Sequence, residues 1–113
     1  MNRSILVLAI ICIAAPSALA QTSKDIKQKI IGLNAYAMCK VRNSGYSIER
    51  ASAIIDKGMS AQGWNSYKPW LKTKGAANAV NLTGLSMNKS CTDINPRSIY
   101  FKDAIKAMEA IGL

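Results

Sequence analysis

Two cysteines, Cys39 and Cys91, constrain this chain more than any other feature. They lie 52 positions apart. A redox pair is normally close in sequence, as in C-x-x-C, with a thiol activated at a helix N-terminus. Cys39 instead lies near the end of an expected helix, far from its only candidate partner. The pair therefore reads as one structural disulfide. In the chain-entropy view, closing so long a loop stabilises the fold by about 4 kcal/mol.

That reading depends on the compartment, and the first twenty residues supply one. Arg3 gives a positive start, Ile5 to Ala15 is an unbroken apolar run, and Pro16 breaks it. Ala18-Leu19-Ala20 offers the small residues a signal peptidase requires before Gln21. The run is too short for a resident membrane helix. Cys12 follows Ile10 and Ile11, without the small residue that precedes a lipidated cysteine. Residues 1–20 thus read as a cleaved signal peptide and 21–113 as a single helical domain, secreted or periplasmic. Export permits oxidation. A domain of this size buries only about 60–65% of its unfolded surface, so it needs the bridge.

Helical spacing dominates the rest. Thr22 is placed to cap a helix running to Arg42, with Asp25 completing a short capping box. Ile26, Ile30, Leu33, Ala37 and Val41 form one apolar stripe, and Ile31, Ala35, Met38 and Cys39 form another on roughly the opposite side. A helix apolar on two sides packs on two sides, which makes this one the expected centre. Gly45 is a suitable stop.

Ser47 then caps a second helix over Ile48 to Lys57, ended by Gly58, with Ile48, Ala51, Ile55 and Met59 facing inward. Ser60 to Gly75 is irregular, with a helical turn from Pro69 to Thr73. Ala76 to Asn88 reads as helix on Ala76, Val80, Thr83 and Met87, although Gly84 weakens it. Asn95-Pro96 then caps a final helix to Ile111. On it Phe101, Ala104, Ile105 and Met108 face inward, and Lys102, Asp103, Lys106 and Glu109 face water. The expected fold class is all-α: a small bundle of about four helices stapled by Cys39–Cys91.

Several chemistries find little support. There is no histidine, the commonest general base near neutral pH and the commonest metal ligand. The six acids show no paired-carboxylate or calcium-loop spacing. No phosphate-binding glycine loop is present. Ser86-Met87-Asn88-Lys89 is a lone Ser-x-x-Lys match, a short pattern that recurs by chance. The chain therefore reads as non-enzymatic, with no cofactor and no metal. Asn81-Leu82-Thr83 and Asn88-Lys89-Ser90 match the N-glycosylation pattern, which matters only in a host that glycosylates.

Charge gives a more positive lead. Of 15 Lys+Arg one, Arg3, lies in the leader; against 6 Asp+Glu this leaves a net charge of +8. Such an excess favours anionic partners, or serves solubility alone. Within the segment 64–74, Trp64, Tyr67, Lys68, Trp70, Lys72 and Lys74 interleave rings with ammonium groups, as a partner-binding surface would. The competing reading makes the tryptophans anchors that hold an irregular segment to the helices. Lys24, Lys27 and Lys29 do not share one helix face.

The spacing of the two cysteines, with Ser90-Cys91-Thr92 and the Phe101-Lys102-Asp103 of the last helix, resembles the HdeA-type acid-stress chaperones of the bacterial periplasm. The chain departs from that family in its basic excess and in the whole helix that precedes Cys39. The resemblance implies a small helical domain that loosens at low pH and binds unfolding clients. Protonating six carboxylates would take the net charge from +8 to +14, and self-repulsion would assist the loosening. Three functional expectations remain open: a binding module for an anionic or protein partner, an acid-stress chaperone, and an inhibitor of a secreted enzyme.

Overall fold

The computed structural model describes residues 22–113, so the expected signal peptide lies outside the described residues. Five α-helices follow in order: α1 Ser23–Ser44, α2 Ile48–Gln62, α3 Lys68–Leu71, α4 Lys74–Leu85 and α5 Phe101–Ala110, with a 3-10 turn at Asn65–Tyr67. No strand occurs among the described residues; an isolated antiparallel bridge joins Met87 to Ile94. The fold is all-α with one disulfide, Cys39–Cys91, whose Cα atoms are 5.8 Å apart.

Local sequence sets the helix ends. The hydroxyls of Thr22, Ser47 and Thr73 accept from the backbone N–H groups of Asp25, Arg50 and Ala76, capping α1, α2 and α4. Each cap is worth about 1 kcal/mol. Gly45 and Gly63 close α1 and α2 with φ of +73° at each, a left-handed conformation that costs glycine nothing.

α1 is the centre. Its adjacent residues Ile30 and Ile31 are both buried but belong to different cores. Ile30 packs with Met59 of α2 and with Trp64, joined by half-buried Ile26, Leu33 and Ile55. Ile31 packs with Ala76, Ala79 and Val80 of α4 and Ala107 of α5. Trp70 and Leu71, in α3, contact both cores. The two apolar stripes therefore meet different neighbours at Ile30 and Ile31, but Met38, expected on the second stripe, is 38% exposed and lines a cleft with Val41 of the first stripe and Ile48, Ala51 and Ile55 of α2.

Further sequence expectations are corrected. α2 does not stop at Gly58 but continues to Gln62. Gly58 lies against α1, where an added Cβ would fall 2.7 Å from a Leu33 methyl, so this glycine serves close helix packing. Ile48, expected inside, is 66% exposed at the first residue of α2. α4 spans Lys74–Leu85 instead of beginning at Ala76 and reaching Asn88. Its Gly84 is buried where an added Cβ would meet the Ala35 carbonyl oxygen at 3.3 Å.

The last helix is also corrected: it begins at Phe101, not Pro96. Asn95 Oδ1 accepts from Arg97 N, but residues 96–100 form turns. The preceding loop explains the delay. The Asn88 side-chain carbonyl accepts from Thr92 N at 2.9 Å and from Ser90 Oγ, and Asn88 Nδ2 donates to Thr92 Oγ1. Cys91 sits inside this knot at φ +59°. On α5, Ala104 and Ala107 supply the buried face, while Ile105, expected inward, is 42% exposed.

Candidate functional site

The aromatic-lysine segment divides once it is folded. Trp64 is buried against Ile30 and Met59 and is a core anchor. The expectation that it meets a partner is corrected: it follows the left-handed Gly63, which turns the chain back beneath α1. Its backbone N–H donates to Met59 O, fixing the ring under the helix end. Tyr67 and Trp70 are half-buried, and Lys72 and Lys74 are exposed. Lys68 Nζ lies 3.6 Å from Asp56 Oδ1.

α1 adds to this surface. Lys27 Nζ sits 5.0 Å from the Trp70 ring centroid. The Tyr67 hydroxyl is 3.5 Å from Ser23 Oγ. Lys27, rather than Lys24 or Lys29, is thus the first-turn lysine shown to join the 64–74 segment. The arrangement pairs a half-exposed indole with a cation over its face, an attraction worth about 0.5–1 kcal/mol at an exposed site.

A second aromatic-cation cluster lies where α1 passes into α2. Arg50 Cζ stands 3.6 Å from the Tyr46 ring centroid. Lys40 Nζ lies 5.6 Å from the ring of Tyr36 and 5.8 Å from that of Tyr46. Sequence reading passed over this group. The four-residue spacing of Tyr36 and Lys40 puts that pair on neighbouring turns of α1, whereas Tyr46 lies in the loop before α2, where sequence spacing gives no such signal.

The remaining candidates separate. Ser86 is fully buried and its hydroxyl donates to Thr83 O, whereas Lys89 is exposed. Asn88 is occupied by the hydrogen bonds of its loop, and Asn81 Oδ1 accepts from Arg42 Nη2 at 3.0 Å. Among the described residues, no helix is long and apolar enough to cross a membrane. No protein-family model, no curated protein and no solved structure matches the chain.

Proposed function

We propose that this protein is an exported, non-catalytic module that binds an anionic surface through its uncompensated cations. One observation carries the reading. Residues 22–113 hold 14 of the 15 Lys+Arg, yet the Lys68–Asp56 contact is the one ion pair among the described residues. A basic excess left unpaired at the surface is a field that attracts anions. The surface of Lys27, Trp70, Lys72 and Lys74 offers both elements an anionic lipid interface rewards: ammonium groups for headgroups and an amphipathic ring for the boundary. The disulfide accords with an oxidising compartment.

The test is cosedimentation of the protein from Gln21 onward with anionic and zwitterionic vesicles, with cell-wall polymer and with nucleic acid, at low and high salt. The expected result is binding to an anionic target that salt abolishes, because exposed charges are screened within about 10 Å at 0.1 M. Indifference to every anion at low salt ends the reading.

A second reading, the acid-triggered chaperone, is favoured by apolar side chains that already face solvent: Ile48 at 66%, Ile99 at 85% and Ile105 at 42% exposure. It requires that a client be protected from aggregation at acid pH and not at neutral pH.

A further inference from the structure

α1, α4 and α5 leave between them a cleft of about 300 Å³, at the small end of the range for ligand pockets. Its walls are Ile94, Phe101, Ala104, Ile105, Met108 and Leu113. Ile94 is held there by its bridge to Met87, within the loop that the disulfide ties to α1. One end is fastened by Gln28, whose side-chain amide donates to Leu113 O at 3.3 Å.

Two polar features define what such a cleft can hold. Thr83 of α4 lines it, is 6% exposed, and has a buried Oγ1 without a hydrogen-bond partner. A helical threonine ordinarily satisfies its hydroxyl on a carbonyl one turn back. The two χ1 rotamers open to a helical threonine differ by about 120°, so the hydroxyl can swing toward an occupant. The second feature is charge. In a chain of net +9, no lysine or arginine lines this cleft, and Glu109 is its one ionisable side chain. A carboxylate or phosphate ligand would meet like charge and no cation.

We propose that the cleft binds a neutral aliphatic molecule of medium length bearing one hydroxyl or carbonyl group, with Thr83 as its hydrogen-bond partner. The apolar walls bury the chain, and the orphaned hydroxyl of Thr83 gains the partner it lacks. A buried polar group left unsatisfied discriminates strongly in favour of the ligand that completes it. The site is separate from the basic surface and stands whether or not that surface binds anions.

Titration of the oxidised protein with 1-octanol, followed by amide NMR, tests the proposal, with octanoate as the anionic control. Octanol should shift the signals of Thr83, Phe101, Ile105 and Met108 saturably, and octanoate should bind at least tenfold more weakly. Thr83→Val keeps the shape and removes the hydroxyl; it should weaken octanol binding about tenfold, whereas Thr83→Ser should restore most of it. The proposal is overturned if octanol produces no localised shifts, if octanoate binds equally well, or if Thr83→Val binds octanol like the unaltered protein.

Discussion

Trp64 and the lysines that follow it, Lys72 and Lys74, sit in opposite environments, and substitutions should separate them. Trp64 is buried between Ile30 and Met59, so Trp64→Ala should cost about 3–5 kcal/mol in urea denaturation. Lys72 and Lys74 are exposed and have no carboxylate within 4.0 Å among the described residues. Replacing both with Gln should leave stability within about 0.5 kcal/mol while weakening attachment to anionic vesicles at low salt. Equal effects on stability from both changes would contradict this division. Thr83→Val should also be neutral or stabilising by up to about 1 kcal/mol in the unliganded protein, since it removes a buried hydroxyl that has no partner.

At the scale of elements, the two close approaches to α1 decide the packing. Gly84 brings α4 against the backbone of Ala35, and a Cβ there would press on a carbonyl oxygen that cannot swing aside. Gly84→Val should therefore destabilise by about 2 kcal/mol or more, measured by thermal or urea unfolding. These glycines also mark the limit of what the sequence discloses. The doubled stripe of α1 is a property of that helix alone, so its two-sided burial could be read directly. So could the caps at Thr22 and Ser47, where donor and acceptor are three residues apart. Gly58 and Gly84 carry a local signal of weakness that contact with Leu33 and Ala35 overrides, and those contacts are distant in sequence. Asn95-Pro96 imitates a helix start for the same reason: nothing nearby reveals that Asn88 and Cys91 hold the chain in turns until Phe101. The surface pairing of Lys27 with Trp70 was likewise hidden, since it spans the intervening α2.

For the whole molecule, charge and covalent closure act in opposite directions. With a large basic excess and a single, exposed ion pair among the described residues, self-repulsion opposes the compact state. Added sodium chloride should accordingly raise the melting temperature, whereas a fold held by surface salt bridges would lose stability under the same screening. The disulfide closes a sequence separation of 52 residues. Replacing Cys39 and Cys91 by Ser should remove about 4 kcal/mol, a large share of the 5–15 kcal/mol typical of a folded domain. Differential scanning calorimetry of the two-serine variant, with and without salt, reads both effects.

α1 forms a wall of both cores, and Trp70 and Leu71 reach into each. Excision of that one segment would strip both remaining layers of their lining at once, so the remainder should not persist as a smaller autonomous unit. Supplied back as a synthetic peptide, Thr22–Gly45 should rebuild the assembly by complementation, and two shorter peptides divided at Asn34 should fail to do so.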